Sequence, residues 1–328
     1  MMLREILAIP SIILNIRRSY KHQKQYMQDV FLKELQPFIE DNDGSLTDKD
    51  FYKITHYYGL AVPVIAEMYT ALRGTPLTMI ERRRLTYLGA ISGVFDDFFD
   101  ERETDLDHIR KLFMDPDVQY AQNTHESLFV HFYMKVLQTE DVSKRTALAA
   151  RVYEAEIKSK KQEHPDISID ELLSITEEKG AVSLLFWRAA LQEKIDPSEE
   201  ALLRKIGLLS QIENDLFDIY EDTQDGISTY PNRIENLTVL SEFYEKLLDD
   251  VCSLVSATPY SDKNKLQFKR YVVLVASRGF VFLEQLKRLT HTDPFKISNY
   301  SRSELICDMA TVRNNMKWVA NYLRYNSK

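Results

Sequence analysis

Glycine and proline are scarce in this chain, 9 and 10 of 328 residues, well below ordinary usage of about 7% and 5%. A sheet-rich fold with many tight turns consumes both, so their scarcity points away from β structure. Cysteine is scarcer still. Cys252 and Cys307 are the only two, too few and too isolated for a disulfide framework or a zinc site. Both fall in helical-looking segments, and a reduced, cytoplasmic compartment is expected. Positive charge is in deficit, with 42 Lys and Arg against 50 Asp and Glu and a net charge of −8. A nucleic-acid binder would carry a basic stripe, so that class is disfavoured.

Long apolar runs are missing as well. The nearest is Ile6 to Leu14, interrupted by Pro10 and flanked by Arg4 and by Arg17–Arg18. It holds about ten residues, where a spanning helix needs about 20. The Asn15-Ile16-Arg17-Arg18 that follows is a poor signal-peptide cleavage site. Residues 1–40 are therefore expected to form an amphipathic segment packing on a domain of residues 41–328, with loose membrane association through it as the alternative.

What the chain does have is helix formers and helical periodicity. Breaks are short. They fall at Asp41–Ser45, Arg73–Pro76, Met114–Asp117, His164–Asp170, Lys194–Ser198, Thr223–Asn232, Thr258–Pro259 and Thr292–Pro294. Thr47-Asp48-Lys49-Asp50 reads as a helix start, another helix begins near Ile169, and Pro197 suits a first turn. No repeat or linker divides the chain. The expectation is all-α, one domain of about ten helices.

Two acidic clusters carry the chemistry. The first, Val94-Phe95-Asp96-Asp97-Phe98-Phe99-Asp100-Glu101, ends an apolar helix. Asp96 and Asp100 are four apart and share a helix face, with Asp97 at its border. Like charges set among Phe95, Phe98 and Phe99 repel and desolvate badly, so a hard divalent cation is the natural neutraliser. The second cluster runs from Gln211 to Asp222. Asn214, Asp218 and Asp222, spaced four and four, put three oxygen donors in a row along roughly 12 Å of one helix face. Such a row suits magnesium, which keeps positions open for water and phosphate. Two facing helices of this kind could share a metal cluster around a diphosphate whose departure the metals assist.

Asp96-Asp97-Phe98-Phe99-Asp100 resembles the aspartate-rich DDxxD motif of class I terpene synthases. Asn214-Asp215-Leu216-Phe217-Asp218-Ile219-Tyr220-Glu221-Asp222 is similar to their second metal motif, with Asp218 where Ser or Thr is usual and Asp222 where Glu is usual. Trp318 to Arg324-Tyr325 resembles the W-x5-R-Y ending of bacterial members. The resemblance implies an α-helical isoprenoid-synthase bundle around a central apolar cavity, three Mg2+ ions (Mn2+ as the alternative) and an isoprenyl diphosphate substrate. It implies that Asp96, Asp97, Asp100, Asn214, Asp218 and Asp222 hold metal. It implies that Arg324 and Tyr325 bind the diphosphate when the site closes. Lys179, next to Gly180, is the best-placed cation for the diphosphate sensor, and the pair would mark a helix kink facing substrate. Arg233 is a further phosphate contact, and Phe95 and Phe99 would wall the substrate. Gly226 matches a glycine common in the family. Enzymes of this class often pair, so a homodimer is compatible.

The reaction so implied is ionisation of the diphosphate, cyclisation or deprotonation of the carbocation, and release of pyrophosphate. A squalene- or phytoene-synthase-like or chain-elongating prenyl transferase is the alternative, because the second motif also resembles theirs. A non-catalytic helical protein binding cations or partners is the alternative of another class. Arg82, Arg83 and Arg84 are expected on a solvated face.

Overall fold

The computed structural model describes residues 2–100, 105–138, 142–290 and 294–326, and for Met2, Asp100 and residues 142–144 the backbone alone. Every regular element among them is helical, and none is a strand. The helices in chain order are α1 (Met2–Tyr26), α2 (Leu32–Glu40), α3 (Asp48–Tyr52), α4 (Gly59–Arg73), α5 (Met79–Asp100), α6 (Leu106–Met114), α7 (Thr124–Leu137) and α8 (Val142–Ser159). They continue with α9 (Ile169–Arg188), α10 (Pro197–Phe217), α11 (Ile219–Gln224), α12 (Tyr230–Arg233), α13 (Leu237–Ala257), α14 (Asp262–Leu289), α15 (Arg302–Leu305) and α16 (Val312–Asn326). Expected start signals act as written. Thr47 and Asp50 form a reciprocal capping box at α3, and Pro197 opens α10 behind the Asp196 cap.

Contacts sort the chain into two compact units, Met1–Ile9 with Lys158–Leu185 and Ile195–Lys328, and Pro10–Ile157 with Phe186–Lys194. The first unit is built on α10, α13 and α14. Ile212, Leu216, Tyr244, Leu248, Val273 and Phe282 are all fully buried in it. Its chain-distant tie is Glu5, buried at the start of α1, which accepts from Arg270 at 2.7 and 3.0 Å and from the Tyr322 hydroxyl at 3.0 Å. Cys307 is buried here but lies in the turn between α15 and α16, not in a helix as its neighbours suggest.

The second unit packs α5 on α7 through an aromatic stack. Phe95, Phe113, Phe129 and Tyr133 are buried, with neighbouring ring centroids 4.7 to 6.1 Å apart. Aromatic pairs at such spacing stabilise beyond their area alone. Buried cations are matched by acceptors. Arg145 donates to the Val136 and Ala189 carbonyls, and Arg73 forks onto Glu81 at 2.7 and 2.8 Å. Within the arginine triplet Arg83 is exposed, as expected, whereas Arg82 departs from the solvated face. Arg82 is half-buried and donates to Gln23, Arg83 reaches Tyr87 and Glu34, and Arg84 reaches the Gln138 carbonyl. Gln23 of α1 is what draws Arg82 in, and three consecutive arginines carry no periodicity that could reveal it.

Candidate metal and diphosphate site

The second motif lies where α10 gives way to α11. The helix ends at Phe217, Asp218 takes a turn conformation (φ −96, ψ 10), and α11 restarts at Ile219. Backbone bonds nevertheless bridge the break. The Asp218 amide donates to the Asn214 carbonyl at 3.0 Å, and the Asp222 amide to the Asp218 carbonyl at 2.9 Å. The row of three therefore keeps its four-residue register across two short axes instead of one. The Asn214 side-chain amide donates to Asp218 Oδ2 at 2.9 Å, which leaves its own oxygen available for a cation.

Both ends of the row are anchored. Upstream, Glu213 is buried and receives Arg278 Nε at 2.9 Å and Nη2 at 2.7 Å, tying α10 to α14 one residue before Asn214. Full burial raises its pKa against the pull of Arg278. Downstream, Gly226 adopts φ +74, a conformation glycine takes without the Cβ penalty. Its amide donates to the Thr223 carbonyl and the Ile227 amide to the Asp222 carbonyl at 2.8 Å. This is the glycine C-cap of α11, and it fixes the backbone of the last residue in the row.

The carboxylates are crowded. Asp222 is half-buried, and its pKa rises from 3.8 to about 8, first through burial and then through the fields of Asp215 and Asp218. Asp215 is buried and rises to about 7, chiefly through burial. Its Oδ1 accepts from Gln211 at 2.9 Å, while its Oδ2 is buried without a hydrogen-bond partner. Surrounding protein atoms and then Glu221 raise Asp218, even though its side chain reaches solvent. Glu221 itself turns to Arg302 on α15 at 2.9 Å.

Lys179 is the cation felt here: its charge opposes the rise of Asp215. It is placed by the glycine after it. A Cβ on Gly180 would stand 2.3 Å from the Gly207 carbonyl oxygen, and one on Gly207 would stand 2.4 Å from Gly180. The backbones of α9 and α10 touch at this pair, about two turns before Asp215. Gly180 thus serves a helix crossing inside an unbroken α9, in place of the substrate-facing kink expected of it.

Arg233 donates to the Pro165 carbonyl at 3.1 Å and to Ser228 at 3.2 Å, clamping the loop before α12. Arg324 is exposed, and the Tyr325 hydroxyl donates to Asp249 on α13. Tyr244, the residue of α13 that reaches Glu213, lies five positions before Asp249, about 7.5 Å along the axis. Tyr325 is thus engaged about one and a half turns further along α13 than Tyr244.

The first motif occupies the last turn of α5. Asp96 is exposed and accepts from the Tyr58 hydroxyl at 3.2 Å. Asp97 accepts from Lys53 at 2.6 Å, and its Oδ2 lies 4.0 Å from His125 Nε2. The side chain of Asp100 and all of Glu101 fall outside the described residues. Lys53 and Tyr58 open and close a single π-helical turn. Five residues apart in an α-helix would diverge by about 140°, whereas a turn closed by i→i+5 bonds brings them to one side. Gly93 admits both: a Cβ there would meet the Tyr58 ring at 2.7 Å and the Lys53 side chain at 3.3 Å. Burial and then Asp96 raise the Tyr58 pKa, keeping the phenol protonated as a donor. Phe95 lies in the aromatic stack, and the half-buried Phe99 packs on Phe95 and Tyr153. Lys53, Tyr58 and His125 gave no sign of this role in the sequence. Only the Gly93 gap hinted at a close neighbour, without saying which.

The donor set fits magnesium. All the donors are oxygens, Asp215 carries a buried unpartnered oxygen, and among the described residues the causes that move Asp218 and Asp222 include neighbouring carboxylates that raise them. Among the described residues no group of three or more His, Cys, Asp or Glu could hold a metal ion by itself. Magnesium at phosphate sites asks for less, since one or two carboxylates suffice when water and phosphate complete the octahedron. Searches against family models, curated proteins and solved structures found no match.

Proposed function

We propose that the chain is a magnesium-dependent class I enzyme that ionises an isoprenyl diphosphate and cyclises or deprotonates the resulting carbocation, releasing pyrophosphate. The observation that carries this reading is the row Asn214, Asp218 and Asp222, held in register between Glu213–Arg278 and the Gly226 cap, with its two carboxylates raised by burial and by neighbouring carboxylates. Asn214, Asp218 and Asp222 would hold Mg2+. When bound, the metal neutralises charge growing on the leaving diphosphate. Lys179 orients the diphosphate from α9 and adds a fixed positive charge beside the row. Asp215 stays turned to Gln211, and the charge of Lys179 acts on it through space. Asp96, with Tyr58 donating to it, is more open to solvent than Asp97 among the described first-motif donors.

The test is incubation with Mg2+ and geranyl, farnesyl, geranylgeranyl and longer diphosphates, with pyrophosphate release and organic products both measured. Metal-dependent release with a hydrocarbon or alcohol product is expected. A product built from two substrate units would turn the reading to prenyl transfer. Absence of release from the whole panel would end it.

One observation favours a second reading. Asp97 already has a cation in Lys53, so the first cluster is also a coherent charge network of a non-catalytic helical protein. That reading predicts no Mg2+-dependent binding of pyrophosphate by calorimetry.

A further inference from the structure

Helix α1 has two unlike faces. Turned inward are Glu5, Ile9, Ile12, Ser19, Gln23 and Tyr26, all buried. Turned outward are Leu3, Leu7 and Leu14, exposed at 70%, 68% and 58%. At 100° per residue these three leucines fall within about 40° of one another. Ile6 adds exposed apolar surface on their flank, about 80° away. No helix among the described residues is long and apolar enough to cross a membrane, and the exposed leucines span only about 17 Å of axis.

Charge on the same helix is one-sided. Its cations are Arg4, Arg17, Arg18, Lys21 and Lys24, all exposed. Its one acid, Glu5, is turned inward and consumed by Arg270 and Tyr322. The outward face of α1 therefore bears no negative charge, in a chain whose net charge is −8. Arg17, Arg18 and Lys21 lie within about 60° of the line through the leucines, and Lys24 within about 80°. Greasy side chains at one end of a stripe and cations at the other match the two layers of a lipid interface. Apolar side chains enter the acyl boundary, and lysine and arginine meet the headgroups.

We propose that the outward face of α1 docks parallel to an anionic bilayer surface, with Leu3, Leu7 and Leu14 inserted and Arg17, Arg18, Lys21 and Lys24 on lipid phosphates. A second copy of the chain suits this face less well, because pairing α1 with itself would oppose cation to cation. The proposal is independent of the reaction assigned above.

The experiment is cosedimentation of the full chain with vesicles of phosphatidylcholine alone and of phosphatidylcholine with phosphatidylserine. Binding to the anionic vesicles that weakens with added salt is expected. The double variant Arg17→Glu, Arg18→Glu should lower the partition coefficient on the order of tenfold or more, and the triple variant Leu3→Ser, Leu7→Ser, Leu14→Ser by a similar factor. All five positions are exposed or at the helix surface, and unchanged circular dichroism melts would show that the fold is intact. Failure of the parent to sediment with anionic vesicles at low salt would overturn the proposal. So would binding that neither variant reduces, or a doubled mass in light scattering that the leucine variant returns to monomer.

Discussion

Gly180 leaves no room for a methyl group, and its neighbour Lys179 is only as well placed as that contact is close. Gly180→Ala would drive a Cβ into the Gly207 backbone. Backbone cannot swing aside as a side chain can, so α9 and α10 must part. A loss on the order of 1–3 kcal/mol is expected from overpacking, read from the urea midpoint. Gly226→Ala is the contrasting case: open space surrounds it but φ is +74, and the expected loss is about 1 kcal/mol from backbone strain. If Gly180→Ala costs less than Gly226→Ala, the crossing is looser than described. The sequence marks Gly180 as unusual, since a glycine weakens a helix interior. It does not tell a kink from a crossing, because the partner glycine lies 27 positions on and nothing local links them. The same holds for Lys53 and Asp97, which are joined by a π-helical turn that side-chain periodicity does not announce.

At the scale of an element, the α10–α11 row was legible in its spacing and only partly in its shape. The four-and-four pattern predicts one face of one helix. The structure keeps the face but interrupts the helix at Asp218, where a turn replaces the straight axis. The glycine cap that ends α11 was readable as a matched glycine, and its backbone work was not. A pH dependence follows from the crowding. Asp222 moves from 3.8 to about 8 and Asp215 to about 7 on folding. Between these values and the unfolded range, the folded chain holds protons that the unfolded chain has released. Stability from this pair is thus full below about pH 4 and falls as pH rises through 7 and 8. Glu81 acts outside that window. It is buried, yet Arg73 and the Thr78 and Gln192 amides hold it down at about 2. In chelator, the melting temperature should decline from about pH 5 to about pH 8, and Asp222→Asn should flatten the decline. If Mg2+ occupies the row, its stabilisation should be larger at the upper end. A variant curve parallel to the parent's would remove Asp222 as the source.

For the molecule as a whole, fold class was the most legible property. Scarcity of glycine and proline and an unbroken helical period led to an all-α chain, and no strand occurs among the described residues. The C-terminal Arg324-Tyr325 illustrates the opposite limit. A dipeptide at family spacing says nothing about which neighbour its hydroxyl will find, and Tyr325 finds Asp249. The proposed reaction makes a whole-enzyme prediction. Asn214→Ala and Asp222→Asn should each lower Mg2+-dependent pyrophosphate release on the order of 10²-fold, while Arg233→Ala, whose contacts are to a loop, should leave it within a few-fold. Loss of activity in the arginine variant and retention in the other two would reverse the assignment of the phosphate-binding residues.

The ion pair of Glu5 reaches across 265 positions to Arg270, and its hydroxyl partner Tyr322 is 317 positions away. Made on a ribosome, the opening turn of α1 emerges well before Arg270 and Tyr322, and its acid must wait for both before it can be satisfied. Contacts of such long range are formed late and slowly. During elongation the bare leucines of that turn are exposed without their inward anchor, which makes this the stretch where a nascent-chain chaperone would have most to shield.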